Sequence, residues 1–589
     1  MNRKIYILAA SLMAFSSCSF LDVPPTVMVG GYTSEEEALY GLAGVYGVIN
    51  NEAFYGNYYS LMLSNVDDLC YFNRTSASNY SVWYQHDASS PEVYDAWTEI
   101  YRGIGNANTF MEAMENSEYD PDHKLYNEAK FLRAYYYFIL AQAWGDVPLR
   151  TTATTSPSEV ECEATSQLEV LKWVVAQMEE CLPLAEESLD NAPSRVVKTT
   201  MWGILARVYL FMAGESVSGT DAAMKHEYFG KALEYAGYVI ISGKHKLNQG
   251  TEKHDGYSQI FINMISDEYD TKYHESMWEA EFKGNRSSSD NWSNGRIGDL
   301  LGLQCQPDTY DNVNCNFAYG QYSGSLKLWY LYWEEDRTDD EARLGDGLND
   351  QTFNWDGGSY IEDRLQGWDR RQFWNMSPYN YIGGTLKNGN TTVDTWVAGI
   401  DKTPYRESSI TTEHSPAVAK AVRDCGKFRR ETEYEGVKGD RGPYTPVNYP
   451  ILRYADVLLM YAEAYNEYNG RPSEDVFNDC IIPIRERAGI KTKPYSEYSS
   501  QEAFRQLVRN ERGRELVFES LRKYDLIRWG IFKESMQQYL RDASSSEWTG
   551  STATAATTMA NSVMDRHIVL PIPAIELGVN KKLRQNPLW

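Results

Sequence analysis

A run of charges near the C-terminal end of the chain contains the residue types of an acid–base catalytic site. In RNERGRELVFESLRKYDLIRWG the charged side chains of interest are Arg509, Glu511, Arg514, Glu515, Glu519 and Arg522. Their spacings of three and four residues, around Leu516 and Phe518, bring opposite charges onto neighbouring turns of one helix. The pattern therefore favours an ion-paired structural helix over a catalytic cluster.

Histidine and cysteine patterns give no sign of a metal or nucleophile site. The eight histidines are scattered without an HExxH or triad-like grouping, and the eight cysteines form no CxxC or Cys/His cluster. The acidic stretch DRTDDEARLGDGLND, residues 336–350, lacks the spacing of an EF-hand, so we expect a solvated loop there and leave a calcium site as the lesser alternative. No catalytic residue, metal site or cofactor is expected.

Aromatic residues in irregular stretches are the candidates for ligand contact, in a chain with 16 Trp and 44 Tyr. Sugars present apolar C–H faces that lie on flat rings, and their hydroxyls bind amides, carboxylates and guanidinium groups. Such combinations occur in SNVDDLCYFNRTSASNY, GNRSSSDNWSNGR and NCNFAYGQYSG. The candidate ligand-binding residues are Asp67, Asp68, Tyr71, Phe72, Asn73, Arg74, Trp292, Tyr319 and Tyr322.

We expect the five candidate rings to be solvent-accessible on one face of the unliganded protein, since an exposed aromatic cluster indicates binding. The alternative, that these rings only anchor loops, stays open. Trp83 and Trp97 lie nearer a regular helix start and are predicted to be structural. Trp329 and Trp333, in LKLWYLYWEED, fall at helical spacing and are predicted to be core.

The N-terminal segment has the order of a secretory signal. Arg3 and Lys4 precede an apolar stretch that is far shorter than the ~20 residues of a membrane-spanning helix. Small residues then lead to Cys18, as in the lipobox of bacterial lipoproteins. We predict residues 1–17 to be a lipoprotein signal peptide and Cys18 to carry the lipid; a signal peptide with an accidental cysteine nearby is the alternative.

Net charge excludes one class of partner. The formal charge is −26, and nucleic acid and anionic lipid surfaces select clustered Lys and Arg. We therefore expect no nucleic-acid ligand. Cys305 and Cys315, ten residues apart in a polar stretch, are a possible disulfide pair that the sequence leaves undecided.

Helical periodicity predicts the scaffold that positions these residues. In LYNEAKFLRAYYYFILAQAWGDVPL, apolar positions recur on one helix face, and Trp144, Gly145 and Pro148 end the helix. TTMWGILARVYLFMAG and EYFGKALEYAGYV form a predicted helix pair with Ala206 and Ala232 at the contact. YPILRYADVLLMYAEAYNEYNG with SEDVFNDCIIPIRERAGI repeats this design, which is close to a tetratricopeptide unit.

Between these helical parts lies a long stretch rich in Gly, Asn, Asp and Ser. The predicted organisation is a helical region at 18–250, a loop-rich ligand-binding region at 251–445 and a second helical region at 446–589. The fold class is mainly α, a tetratricopeptide-like scaffold of helix pairs with a long irregular region.

The chain as a whole resembles the SusD/RagB family of outer-membrane nutrient-binding lipoproteins. The resemblance rests on six ordered motifs: EAKFLRAYYYFILAQAWGDVPL, ILARVYLFMAG, PILRYADVLLMYAEA, IRERAGI, RNERGRELVFESLRKYDLIRWG and IVLPIPAIELGVNKKLRQNPLW. It implies four tetratricopeptide-like helix pairs, a ligand-binding half and no catalysis. It also implies a SusC-like TonB-dependent barrel transporter as partner, on the outer membrane and facing the cell exterior.

Three functions follow as hypotheses. The first is a surface lipoprotein, held by its lipid in the outer membrane, that binds an oligosaccharide or polysaccharide and delivers it to the transporter. The second is a peptide-binding, RagB-like member of the same family. The third, a glycoside hydrolase, needs two opposed carboxylates about 5 to 10 Å apart, which a sequence does not reveal.

Overall fold

The predicted, mainly helical architecture is confirmed. A computed structural model describes the protein over these residues: 31–154, 156, 161–252, 254–283, 294–304, 316–333, 353–354, 359–360, 369–377, 379–380, 403–404, 423–430, 433 and 443–589.

Nearly half of the described chain is α-helix. The helices are α1 Glu35–Tyr46, α2 Pro91–Met114, α3 Lys124–Trp144, α4 Gln167–Cys181, α5 Lys198–Met212, α6 Ala222–Ser242, α7 Gly256–Ser266, α8 Ile297–Leu300, α9 Leu326–Trp333, α10 Arg370–Asn375, α11 Tyr454–Asn469, α12 Glu474–Val476, α13 Ile482–Arg487, α14 Gln501–Leu516, α15 Arg522–Arg528, α16 Phe532–Ala543, α17 Gly550–Ser562 and α18 Ala574–Val579.

Short π and 3-10 turns connect several of these helices. They are Glu52–Gly56, Tyr58–Leu63, Tyr80–Trp83, Leu182–Leu184, Phe477–Ile481, Tyr495–Tyr498 and Asp565–Ile568.

The strands form antiparallel two-stranded ribbons. They are β1 Cys70–Phe72, β2 Val147–Pro148, β3 Ala164–Thr165, β4 Ser276–Ala280, β5 Tyr322–Gly324, β6 Phe353–Asn354, β7 Ser359–Tyr360, β8 Tyr379–Asn380, β9 Thr403–Pro404 and β10 Tyr449–Arg453. The pairs are β1 with β5, β2 with β3, β4 with β10, β6 with β7 and β8 with β9.

Helix α3 is the centre of the N-terminal helical layer. It forms where the sequence predicted a helix, and it ends at Gly145, whose φ of +78° is accessible to glycine. From Phe131 to Trp144 every residue is buried, so the helix is enclosed on all sides and not on one face only. The buried tyrosine hydroxyls of this helix form hydrogen bonds. Tyr136 donates to the Val45 carbonyl at 2.6 Å and Tyr137 donates to the Arg150 carbonyl at 2.8 Å.

The predicted helix pairs are present. Helix α5 packs on α6, with Ala206 and Ala232 fully buried, and α6 also packs on α11. Helix α11 contacts the segment formed by α12, its π turn and α13, as the second predicted pair requires. Helices α2, α3 and α4 stack in sequence order, so neighbouring pairs bury the apolar faces that single pairs leave open.

In the described part of the chain, two hydrophobic cores stabilise this scaffold. The larger runs through most of the chain, from Ala38 to Leu583. The smaller is enclosed by α11, α13 and α14 and includes Leu459 and Phe504. Trp83, Trp97 and Trp329 are buried in the larger core, as predicted, whereas the side chain of Trp333 lies outside the described residues.

The β4–β10 ribbon pairs two strands that lie far apart in the sequence. Its register pairs Tyr449 with Ala280 and Arg453 with Ser276. All five residues of each strand are buried. The two ends of the intervening segment, residues 281–448, are thereby held side by side.

The charged motif of helix α14 is ion-paired, but mainly with distant parts of the chain. Within the helix, Arg514 Nη1 lies 3.2 Å from Glu511 Oε2. Glu511 and Glu515 are fully buried and contact arginines of α10, β10 and α13. The predicted ion-paired helix is present, and it lies in the middle of a buried charge network whose carboxylates have arginine partners.

No helix in the described part of the chain is both long and apolar enough to span a bilayer. Five described cysteines are free thiols, namely Cys70, Cys162, Cys181, Cys425 and Cys480. Cys305 and Cys315 lie outside the described residues, as does the acidic stretch 336–350.

Candidate functional site

The β1–β5 ribbon brings together two of the stretches chosen from the sequence. Phe72 of β1 lies opposite Tyr322 of β5 in the antiparallel register. Asn73 extends the contact, donating from Nδ2 to the Gly320 carbonyl at 3.0 Å and to Ser323 Oγ at 2.8 Å. The fold thus brings residues 67–74 and residues 319–322 into contact.

Three of the five candidate rings are buried, so the expectation of an exposed ring face is wrong for Tyr71, Phe72 and Tyr322. Tyr71 packs edge-on against Trp548, with ring centroids 5.0 Å apart. Phe72 packs edge-on against Tyr322 at 5.7 Å and against Trp83 at 6.1 Å. These rings are covered because strand pairing places them inside the aromatic core.

Asp67 and Asp68 are buried beneath the ribbon. Asp68 binds Lys327 Nζ at 2.7 Å and Arg522 Nε at 2.9 Å. Burial opposes its ionisation, but these two cations hold the pKa of Asp68 below its ordinary value. Burial and the adjacent Asp68 carboxylate raise the pKa of Asp67 to about 8. Both carboxyl groups are engaged in intramolecular contacts.

Arg74 and Tyr319 remain at the surface. The Arg74 guanidinium donates to the Tyr319 carbonyl at 2.9 Å and to Asn73 Oδ1 at 2.8 Å. The Tyr319 amide donates to Asp299 Oδ1 at 3.0 Å, and Arg296 in turn binds Asp299. The Tyr319 side chain is 41% exposed and packs edge-on against Phe317. A polar frame therefore fixes the backbone that carries an accessible ring.

Tyr80 is an exposed ring that the sequence analysis missed. It is 56% exposed at the start of the turn Tyr80–Trp83, and its ring packs on the buried Trp83 at 6.0 Å. Trp83 contacts Phe72, so Tyr80 belongs to the same aromatic cluster as the ribbon. Tyr80 could have been proposed from its position in the polar stretch SNVDDLCYFNRTSASNY. The sequence alone gives no reason to rank it above Tyr71, which lies in the same stretch.

Arg74, Tyr80 and Tyr319 together define what we call the β1–β5 surface. It offers two accessible rings and a guanidinium on a backbone fixed by buried contacts. Such groups can stack on and hydrogen-bond a polar ligand. Among the described residues no cluster of three or more His, Cys, Asp or Glu side chains is arranged to hold a metal ion. Trp292 and Cys18 lie outside the described residues.

Two family models match the chain. One, described as the SusD family, matches residues 274–589, and the other, described as starch-binding associating with outer membrane, matches residues 19–210. The first alone covers more than half of the sequence. The chain belongs to the SusD family. The resemblance inferred from the motifs is confirmed.

Relatives of the SusD family are similar along nearly the whole length. A SusD-like protein P25 of Formosa agariphila is 24% identical over 97% of this chain and 95% of its own. A SusD homolog of Bacteroides thetaiotaomicron has the same fold, with a TM-score of 0.75, 24% identity and coverage of 95% and 98% of the two chains. A laminarin-binding SusD-like protein has a TM-score of 0.61 at 19% identity, with coverage of 95% and 100%.

Proposed function

We propose that this SusD-family protein is a cell-surface lipoprotein that binds glycan without catalysis and passes it to a SusC-like TonB-dependent transporter. The observation that carries the proposal is membership of the SusD family across residues 274–589. Support for a glycan ligand comes from the starch-binding description of the model that matches residues 19–210 and from the laminarin-binding relative.

The β1–β5 surface is the proposed contact area. The Tyr319 and Tyr80 rings would lie against the apolar faces of sugar rings, and the Arg74 guanidinium would donate to hydroxyl oxygens. Trp83, which packs on Phe72, supports the Tyr80 ring, and Phe317 packs edge-on against the Tyr319 ring. Trp292 stays a predicted contact of the same surface.

Attachment to the outer membrane is assigned to a lipid on Cys18. A mature protein tethered at one end can remain at the cell surface and still move relative to a transporter. Each buried CH2 of an acyl chain contributes about 0.8 kcal/mol, so several chains hold a protein firmly without a membrane-spanning helix.

The proposal is tested by affinity electrophoresis of the soluble chain in gels containing starch or laminarin. We expect retarded migration in at least one gel and no release of reducing sugar from either polysaccharide. Unretarded migration in both gels, together with binding of an oligopeptide mixture, would favour the peptide-binding hypothesis. Release of reducing sugar by the pure protein would favour the hydrolase.

A further inference from the structure

A cavity of about 210 Å3 has a lining that shares no residue with the β1–β5 surface. It lies between helix α2, the segment 148–154 and helix α18, none of which contributes to that surface. Its lining combines two aromatic residues, a glycine, a guanidinium, a hydroxyl and a carboxyl group, from Trp97, Tyr101, Gly105, Arg150, Thr152 and Glu576.

Two aromatic side chains one helical turn apart form one wall of the cavity. The Trp97 and Tyr101 ring centroids are 4.8 Å apart, and the planes are tilted by 46°. The Tyr101 hydroxyl donates to the Pro148 carbonyl at 2.8 Å, which fixes the ring against the opposite segment. Trp97 is buried behind it, while Tyr101 is partly exposed. The ring of Tyr101, held in place by Trp97 and by its hydrogen bond to Pro148, therefore forms a fixed wall of the cavity.

Gly105, one turn after Tyr101, keeps that wall open. A Cβ atom at Gly105 would meet no atom within 4 Å, whereas one at Gly103 would lie 2.7 Å from Val48 Cγ2. Glycine inside a helix is less stable than alanine by roughly 1 kcal/mol. Packing within the described chain explains Gly103 but gives no reason for glycine at 105, where a side chain would project into the cavity.

Glu576 supplies a carboxylate with spare acceptor capacity. It is half-buried. The Asn580 amide donates to its backbone carbonyl at 2.8 Å, which leaves the side-chain carboxylate to face the cavity. Burial raises its pKa, and the positive charge of Arg150 acts in the opposite direction. Because the described lining contains one charge of each sign, it suits a neutral ligand that both donates and accepts hydrogen bonds.

We propose that this cavity is a second saccharide-binding site that accepts a single neutral sugar ring. Its volume is below the roughly 300–1,000 Å3 of pockets for drug-sized ligands, so it fits one ring and not an extended chain. The ring lies on Tyr101, one hydroxyl donates to Glu576, and another accepts from Arg150. The assignment rests on this lining alone and is independent of the β1–β5 surface.

Hydrogen–deuterium exchange with mass spectrometry tests the second site, with glucose, maltose and laminaribiose as separate probes at millimolar concentration. In the wild-type chain we expect at least one probe to slow exchange in peptides covering residues 148–154. Gly105→Leu fills the cavity and removes that protection. Gly44→Leu, at another exposed helical glycine with no atom near its Cβ position, retains it.

A conservative substitution measures how much the Glu576 carboxylate contributes to binding. Glu576→Gln is expected to raise the probe concentration for half-maximal protection roughly tenfold, the loss of about one hydrogen bond to a charged acceptor. Absence of protection at 148–154 with all three probes, or protection that survives Gly105→Leu, overturns the second site. Protection of peptides around Tyr319 is a separate readout, so failure of the β1–β5 surface is seen independently.

Discussion

Arg453, at the end of strand β10, binds Glu515 of helix α14 twice. Its Nη1 lies 3.1 Å from Glu515 Oε1, and its Nη2 donates to the Glu515 carbonyl at 3.1 Å. Both side chains are fully buried. Arg371 and Arg487 bind the same carboxylate, at 2.9 Å and 2.5 Å. One glutamate thus joins three separate segments of the chain.

Glu515→Gln is expected to destabilise the protein strongly. It keeps the side-chain shape but leaves the buried arginines short of one negative charge, which lowers the free energy of unfolding by about 3–5 kcal/mol. Urea unfolding followed by circular dichroism measures the change. The control is Glu502→Gln, in an ion pair whose glutamate side chain is 73% exposed, with an expected loss of at most about 1 kcal/mol. Equal losses in the two variants would contradict the prediction.

Glu279 of β4 should make stability depend on pH. Burial, with a contribution from Glu281, raises the pKa of Glu279 to about 7 from its ordinary 4.5. Between these pH values the native state holds a proton that the unfolded state has lost, so stability falls as pH rises through this window. We expect Glu279→Gln to remove roughly 3 kcal/mol of this fall. Parallel curves of unfolding free energy against pH for the two proteins would refute the assignment.

Tyr319→Ala should weaken glycan binding with little effect on stability. Loss of one stacked ring is worth about 1 kcal/mol, a several-fold reduction in affinity. Titration calorimetry with the glycan retained in the gels measures it. Tyr238→Ala, at a tyrosine that is also 41% exposed but lies on helix α6, is the matched control and should bind normally.

Phe72→Ala, in contrast to Tyr319→Ala, should lower the stability of the protein strongly. The ring is buried against Trp83 and Tyr322, so its removal leaves a cavity and costs about 3–5 kcal/mol of unfolding free energy. Thermal unfolding is the measurement, with Tyr80→Ala as an exposed control. A Phe72→Ala protein as stable as the wild type would show that the ring is not part of the core.

Cys18→Ala should release the protein from the membrane. Without the acyl chains, the remaining contacts with the membrane are expected to be insufficient for anchoring. Fractionation of cells expressing the variant in the absence of a transporter should find it in the soluble fraction. Recovery of the variant with the outer membrane would argue against the lipid anchor.

Local patterns sufficed to predict most of the helical scaffold. Helix α3, the pair α5–α6 and helix α11 follow from the spacing of apolar residues and from the residues that end each helix. The predicted helix over the charged motif is also present, but its partners are not local. Arg371 and Arg453 reach Glu515 from distant parts of the sequence, and no spacing rule relates them.

The candidate site was only partly predictable for the same reason. The sequence identified two aromatic stretches that the fold brings together, but it did not reveal that Phe72 and Tyr322 face each other in a buried ribbon. Whether a ring in an irregular stretch is exposed depends on the strand that pairs with it. Tyr319 and Tyr71 both lie beside polar residues in stretches without helical periodicity, yet only Tyr319 reaches the surface.

The β4–β10 ribbon gives the protein a way to change what it recognises. Because residues 276–280 and 449–453 are fixed to each other, the chain between them is an insertion with anchored ends. The entropic cost of closing a flexible loop grows slowly, by about 0.6 kcal/mol for each doubling of its length. Strand β5, helix α9 and Arg371 of helix α10 belong to that insertion and are part of the buried core. Mutation that keeps these elements can lengthen, shorten or replace other parts of the insertion while the helical scaffold keeps its stability, so specificity can evolve separately from folding.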